Sequence, residues 1–201
     1  MAKIKLQGVR LSFPSLFRKA VFQGEETKYE ATLLLDKEKH ADSIAEINEA
    51  IKKGIADNFK GAKIPADKIC FKDGDTIDYD GYAGCMSIKA ANNKRPMVID
   101  RDKSPLNEDD NKIYAGCYVN AVIELWFQNN GFGKRVNANL LGVQFLKDGE
   151  PFGDNAGASV DDFTHSVTMT KSSLSKQYNL KLAAFERLFY PIFRGCPSCY
   201  F

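Results

Sequence analysis

Residues 117–128, CYVNAVIELWFQ, and residues 134–146, KRVNANLLGVQFL, are joined by the short link NNGFG, and together they decide the fold. Apolar side chains occupy every second position of the first stretch, at Val119, Ala121, Ile123, Leu125 and Phe127. A period of two is that of a β-strand with one buried face. The link supplies the Asn and Gly residues that tight hairpin turns require. The two stretches therefore predict a long antiparallel hairpin.

Four further stretches have the pattern of strands. Residues 3–13, KIKLQGVRLSF, carry apolar side chains at Ile4 and Leu6 and then at Val9, Leu11 and Phe13. The phase of this pattern shifts at Gly8, which predicts a β-bulge or a bend. The other stretches are residues 27–35 (TKYEATLLL), 85–91 (CMSIKAA) and 97–100 (MVID).

Residues 37–60 carry the one clear helical pattern of the first 147 residues. Large apolar side chains recur at helical spacing among charged residues, at Ile44, Ile47, Ile51, Ile55 and Phe59. Asp36 is the expected N-cap of this helix. Strands with one inserted helix and no regular strand–helix alternation favour a mainly β fold, a closed antiparallel barrel, over a parallel sheet.

The distribution of charge divides the chain into three parts. Residues 1–147 hold 23 Lys and Arg against 20 Asp and Glu and contain all the predicted strands, so we expect one domain there. Residues 148–163 hold five acids and no base, which predicts a flexible acidic segment. Residues 164–201 are basic and apolar. This C-terminal extension is a natural addition, a partner-binding helix, a remnant of cloning or the product of a reading-frame change.

The composition is that of an ordinary globular protein. Of 201 residues, 44% are hydrophobic and 27% are charged, and the formal net charge is only +2. Any binding of nucleic acid therefore depends on where the charges lie. Cys70, Cys85 and Cys117 are scattered singly, unlike the disulfide framework of a secreted protein. Since the sequence also shows no apolar leader and no membrane-spanning run, we expect a cytoplasmic protein without a membrane partner.

Catalytic and metal-binding motifs are poorly represented. His40 and His165 belong to no recognisable motif, and GFGK at 131–134 lacks the spacing of a phosphate-binding loop. Cys196 and Cys199 form a single pair, whereas structural zinc needs four ligands. We therefore expect no enzyme, no metal and no cofactor. One alternative is a metal-dependent nuclease using the turn-loop carboxylates Asp73, Asp75, Asp78 and Asp80.

Basic and aromatic residues are interleaved along the predicted strands. The candidates for a nucleic-acid surface are Arg10, Phe17, Lys28, Tyr29, Tyr82, Lys89, Lys94, Arg95, Trp126, Lys134 and Arg135. This mixture suits single strands, because cations neutralise phosphates while ring faces stack on unpaired bases. The competing interpretation places Tyr29 and Tyr82 in the core. For Trp126, alternation predicts an outward, base-stacking side chain, and packing under the helix is the alternative.

Five segments together resemble a family of phage single-stranded-DNA-binding proteins. They are VRLSFPSLF (9–17), KYEATLLLDK (28–37), IKAANNKRPMVIDRD (88–102), IYAGCYVNAVIELW (113–126) and NLLGVQFLKDGEPFG (139–153). The resemblance implies an OB fold and binding of single-stranded DNA without sequence preference. It also implies a role in phage replication, recombination or repair inside the infected bacterium. The alternative function is that of an OB-like protein-interaction module in a phage replication or recombination assembly.

The same resemblance implies an acidic C-terminal tip that competes with DNA or recruits replication and recombination proteins. The matching piece is ASVDDF (158–163), so Asp161, Asp162 and Phe163 are the candidate partner-binding residues. We expect the acidic segment 148–163 to be mobile. In the absence of DNA, it should occupy the same basic groove that the phosphates of DNA would use. The sequence departs from the family pattern because 38 residues follow Phe163.

Overall fold

Nine strands and one α-helix form the framework of residues 3–131 and 133–152, the part of the chain described by the computed structural model. The strands are β1 (Lys3–Ser15), β2 (Val21–Phe22), β3 (Glu25–Glu26), β4 (Tyr29–Asp36), β5 (Phe71–Asp73), β6 (Cys85–Asn92), β7 (Met97–Ile99), β8 (Tyr118–Asn130) and β9 (Gly133–Lys147). Helix α1 (Ala41–Phe59) lies between β4 and β5 in the chain.

Five of these strands close into a barrel. They pair in the order β6–β4–β1–β8–β9, and β9 returns to β6 through the pair Ala90–Ala138. The predicted barrel with one inserted helix is confirmed. Its closing pair differs from the expected antiparallel pairing, because β6 and β9 run parallel and make the barrel mixed. A small five-stranded barrel of this kind is OB-like, and its interior is filled by side chains.

The β8–β9 hairpin is the longest ladder of the barrel. It pairs from Tyr118 with Lys147 to Asn130 with Gly133, which confirms the hairpin predicted from the sequence. The alternate side chains of β8, including Ile123, are buried inside the barrel. Burying one large aliphatic side chain stabilises the fold by about 1.5–3 kcal/mol. This repeated burial explains why the period of two predicts the hairpin so well.

The predicted irregularity at Gly8 is a bulge between β1 and β8. The register of the two strands shifts between Leu6 and Val9. Gly8 has a φ of +63°, and its N–H donates to the Asn120 side-chain oxygen at 3.0 Å. Glycine adopts this left-handed conformation without steric cost, so the bulge lets both halves of β1 keep their apolar side chains inside.

Helix α1 packs against the far part of β8. Ile47, Ile51 and Phe59 are buried, and a Cβ built on Gly54 would lie only 1.8 Å from the Phe127 ring. A side chain at this glycine would therefore separate the helix from the strand.

Among the described residues, no helix has both the length and the apolar character needed to cross a bilayer.

The predicted N-cap at Asp36 is wrong, because the helix begins five residues later. Asp36 ends β4, and its carboxylate accepts from the N–H groups of Glu38 and Lys39 in the following turn. Hydrogen bonds from the Lys39 N–H and ammonium lower the pKa of Asp36 to about 2. His40 occupies the N-cap position without a side-chain cap. The capping chemistry of Asp36 thus serves a strand-to-helix turn.

The first five residues after β9 pack on the barrel. The Tyr114 hydroxyl donates to the Asp148 carboxylate at 3.1 Å, and the Phe152 N–H donates to the Ala115 carbonyl at 3.0 Å. The expectation of a segment that is mobile from Asp148 onward is therefore wrong for residues 148–152. Residues 153–163 and the extension 164–201 lie outside the described residues, as do the predictions for Asp161, Asp162, Phe163, His165, Cys196 and Cys199.

Candidate nucleic-acid interface

A groove of about 380 Å³ lies on the outer face of β4, β5 and β6. Its lining includes Phe13, Glu30, Thr32, Cys70, Lys72, Ile77, Tyr79, Tyr82, Ser87 and Lys89. Strand register explains the floor of the groove, because Thr32 of β4 pairs with Lys89 of β6, and Ser87 of β6 pairs with Lys72 of β5. Side chains from three neighbouring strands therefore point to the same surface.

One wall of the groove is aromatic. Phe13 and Tyr79 are 55% and 60% exposed, and their ring centroids lie 5.3 Å apart in an edge-to-face arrangement. Tyr79 also contacts Tyr82, with the ring centroids 5.5 Å apart. Tyr82 is buried, and its hydroxyl donates to the Ser12 hydroxyl at 3.2 Å. The open ring of Tyr79 thus contacts both the open ring of Phe13 and a buried tyrosine.

The outward direction of Phe13 depends on a local irregularity in β1. The register between β1 and β4 shifts between Ser12 and Ser15. Phe13 lies inside this irregular stretch with a φ of +47°, which a non-glycine residue rarely adopts. Such strain is typical of positions where the chain re-aims a side chain for binding. Phe13 was expected on the apolar face of β1, and this expectation is wrong.

Residues 74–84, here called the aromatic loop, contribute Ile77, Tyr79 and Tyr82 to the groove. Ion pairs between side chains hold the start of this loop. The Lys37 ammonium lies 2.7 Å from an Asp73 oxygen and 2.5 Å from an Asp75 oxygen. The other Asp75 oxygen accepts from the Gly84 N–H at 2.6 Å. Hydrogen bonding to Lys37 lowers the pKa of both carboxyl groups below the ordinary value of 3.8. These carboxylates are therefore occupied in holding the two ends of the loop together.

This arrangement bears on the alternative of a metal-dependent nuclease. Asp73 and Asp75 are engaged with Lys37, and no group of three or more His, Cys, Asp or Glu side chains is placed to hold a metal ion within the described ranges. Cys70 also lines the groove, but burial raises the pKa of its thiol to about 12. Burial therefore favours the protonated Cys70 thiol at neutral pH.

Two lysines bring positive charge to the groove floor. Lys72 of β5 is exposed, and Lys89 of β6 lies 2.9 Å from an oxygen of Glu30. An exposed ion pair of this kind contributes only about 0–1 kcal/mol, so a phosphate can replace Glu30 as the partner of Lys89. The groove thus combines cations with open rings. Of the residues predicted from the sequence, Lys89 lines it as an exposed cation. Tyr82 also borders it, but its ring is buried, as the competing interpretation expected.

Other predicted residues gather where β4 begins and β6 ends. Tyr29 pairs with Asn92 at this edge, and Lys28 precedes it in the chain. Lys94 is exposed in the turn after β6. The Arg95 guanidinium lies 5.5 Å from the centre of the Phe17 ring. Because Glu30 is next to Tyr29 and lines the groove, these side chains extend the basic surface beyond one end of the groove.

The remaining predicted residues lie elsewhere. Arg10 holds the segment after β9, donating to the Glu150 carbonyl at 2.6 Å. Lys134 lies 5.7 Å from the Phe59 ring beside α1, and Arg135 follows it on β9. Trp126 is half-buried in a cleft between α1 and β8. This is the alternative position expected for Trp126, packed beside the helix. The structure does not bring these four side chains to the groove.

Sequence reasoning missed Phe13, Lys72 and Tyr79. The run DYDGYAG carried a signal for Tyr79, because a turn-rich segment with two tyrosines exposes aromatic rings that the core does not need. Lys72 lies on the three-residue strand β5, which is too short to show alternation. The direction of Phe13 had no signal in the pattern, since the bulge reverses it.

Comparisons with known proteins agree on one family. A family model described as Enterobacter phage Enc34, ssDNA-binding protein, matches residues 2–173. The structure of the single-stranded DNA-binding protein from bacteriophage Enc34 in complex with ssDNA is 37% identical, with a TM-score of 0.69, and the match covers 75% of this chain and 89% of that chain. The structure of the same Enc34 protein without a named ligand is 36% identical, with a TM-score of 0.68, covering 80% and 88%.

A protein called p50 from Acyrthosiphon pisum secondary endosymbiont phage 1 is a further relative. It is 42% identical over 171 residues, which cover 80% of this chain and 92% of p50. The family model, the solved structures and this relative all match most of the described barrel.

Proposed function

The chain belongs to the Enterobacter phage Enc34 ssDNA-binding protein family, and on that premise we propose that it coats single-stranded DNA without sequence preference. The resemblance seen in the five sequence segments is thereby confirmed. This binding serves phage replication, recombination or repair in the cytoplasm of the host. The role is one of binding, not of catalysis.

The observation that carries the proposal is the pairing of open rings with cations in one groove. Phe13 and Tyr79 present exposed ring faces, and Lys72 and Lys89 lie on the strands below them. Every base has a π-face, so stacking holds bases of any identity, while lysines contact the phosphates that all nucleotides share. The face formed by the second and third barrel strands is also where OB folds bind oligonucleotides.

The proposed path of the strand runs across β4 and β6. Lys28, Lys94 and Arg95 continue the positive surface past Tyr29 and Asn92, where the groove ends. Phosphates passing this edge would meet three cations before reaching Lys89. Each phosphate neutralised releases condensed counterions, so binding should weaken steeply as salt rises. This dependence distinguishes DNA coating from the protein-interaction alternative.

A salt titration with two labelled oligonucleotides, one of dT and one of mixed sequence, tests the proposal. We expect similar affinities for both and a linear fall of log K with log salt concentration. Phe13→Ala should weaken both complexes about 5- to 150-fold, since stacking is worth about 1–3 kcal/mol per base. Met97→Ala removes a comparably exposed apolar side chain from β7 and serves as the matched control.

Two results would overturn the proposal. One is the absence of salt-dependent binding to either oligonucleotide, which would favour the protein-interaction module. The other is equal loss of affinity in the Phe13 and Met97 variants, since binding would then not depend on the groove. Cleavage of the labelled strand in the presence of Mg²⁺ would contradict a purely binding role.

A further inference from the structure

Phe152, five residues beyond the end of β9, touches the aromatic loop from outside the groove. A Cβ built on Gly81 would lie 2.1 Å from one carbon of the Phe152 ring and within 3 Å of two more. Gly81 has a φ of +76°, so glycine serves this position both for its backbone and for the close approach of the ring. Tyr79 and Tyr82 of the groove lie within two residues of this contact.

We propose that residues 148–152, here called the exit brace, hold the aromatic loop in its DNA-binding position, with Phe152 as the positioning residue. The inference rests on the proposed function of the groove, but Phe152 itself is not among the groove-lining residues. Phe152 acts through Gly81 on the rings of Tyr79 and Tyr82.

The barrel side of the exit brace is fixed by several contacts. The Arg10 guanidinium lies 4.1 Å from the centre of the Phe152 ring and donates to the Glu150 carbonyl at 2.6 Å. The Gly149 N–H donates to the Tyr114 hydroxyl oxygen at 3.0 Å. Gly116 passes so close that a Cβ there would lie 2.1 Å from the Glu150 carbonyl oxygen. Arg10, predicted as a DNA contact, is thus engaged in holding Phe152 in place.

Two further contacts hold the aromatic loop in place. Tyr82 donates to Ser12 of β1, and Phe152 packs on Gly81. The loop is therefore held between β1 and the exit brace. A loop that is already ordered loses less conformational entropy when a base stacks on Tyr79, so the brace should raise affinity by preorganisation.

The coupling must work in both directions. If docking of the exit brace raises the affinity of the groove for DNA, then bound DNA must stabilise the docked brace by the same factor. The start of the acidic segment therefore stays on the barrel when DNA is bound. Residues 148–152 are then not available to leave the barrel or to meet a partner.

The test compares full-length Phe152→Ala with the unaltered protein, using the dT oligonucleotide and hydrogen exchange. We expect an affinity loss of about fivefold or more. Amide exchange should become faster in residues 77–84 and stay unchanged in β4 and β6. Phe152→Tyr keeps the ring and should restore both readouts. Glu150→Gln is the matched control, because the contact with Arg10 uses the backbone carbonyl, which remains.

The proposal is overturned if Phe152→Ala leaves both affinity and exchange in the loop unchanged. It is also overturned if exchange rises equally throughout the barrel, because Phe152 would then stabilise the fold in general. The exchange readout needs no DNA, so it separates this failure from a failure of the proposed function.

Discussion

The β8–β9 hairpin and the aromatic loop both carry aromatic side chains, but they are held in place by different interactions. The hairpin is a continuous ladder whose inner side chains fill the barrel, and its Trp126 lies half-buried beside α1. The loop depends on Lys37 at its base and on Ser12 and Phe152 at its sides, and it exposes Tyr79. The stability of the fold therefore depends mainly on the hairpin and DNA binding on the loop. Substitutions in one region should change one property and leave the other nearly unchanged.

The largest effect should come from the barrel interior. Ile123→Ala removes a fully buried side chain of β8 and should lower the free energy of unfolding by about 2–5 kcal/mol. Urea denaturation measures this loss. Val122→Ala on the outer face should cost only about 1 kcal/mol. Affinity for dT, measured well below the unfolding temperature, should stay near its original value in both variants, and a large loss would contradict the separation.

A direct comparison of two rings comes next. Tyr79→Ala should weaken dT binding about 5- to 150-fold with little change in stability, because its ring is open and stacking is worth about 1–3 kcal/mol. Trp126→Ala tests the stacking role predicted from strand alternation against packing beside α1. Packing beside α1 leads to a loss of stability and a tryptophan fluorescence that DNA does not change. A greater affinity loss for Trp126→Ala than for Tyr79→Ala would place the interface on the helix side.

Two truncations sharpen the role of the segment after the barrel. A chain ending at Lys147 lacks the exit brace, whereas a chain ending at Phe152 keeps it and lacks the rest of the acidic segment. We expect the chain ending at Phe152 to bind dT several-fold more tightly than the chain ending at Lys147, even at low salt. The reverse order would mean that charge repulsion by Asp148 and Glu150 outweighs the positioning by Phe152.

The smallest effect should come from the ion pairs at the base of the loop. The carboxyl groups of Asp73 and Asp75 have lowered pKa values, so their contribution is present above the ordinary value of 3.8 and is lost as pH falls through the lowered values. Lys37→Met should return both titrations, followed by NMR, towards 3.8. Because these pairs are exposed, affinity at pH 7 should change by about twofold or less. Unchanged carboxyl titrations would show that Lys37 does not hold the loop.

The elements that could be predicted from the sequence are those whose buried side chains recur at a regular spacing. The hairpin, the bulge at Gly8 and the inserted helix all follow from alternating or helical apolar patterns, because many positions contribute to each pattern. Of the residues predicted to contact DNA, Lys89 lies in the groove as an exposed side chain, whereas Tyr82 borders the groove as a buried one, and their contact with DNA stays a prediction.

The missed features depend on single contacts. Phe13 points outward because of one positive φ, and Phe152 docks because one glycine leaves room for its ring. Asp36 has the residue type of a cap, but tertiary structure starts the helix later. Contacts between distant residues of this kind leave no periodic trace in the sequence.

The pairing of β1 with β8 has a consequence for how the barrel is made. Ile4 lies opposite Ile123, about 120 residues further along the chain. At a synthesis rate of about 5–20 residues per second, the first strand waits roughly 6–24 s on the ribosome before its partner exists. Pairing with β4 becomes possible much sooner, at Leu11 and Leu33. The nascent chain therefore acquires one side of β1 early, and the other edge stays open to wrong partners until nearly the whole barrel has been synthesised.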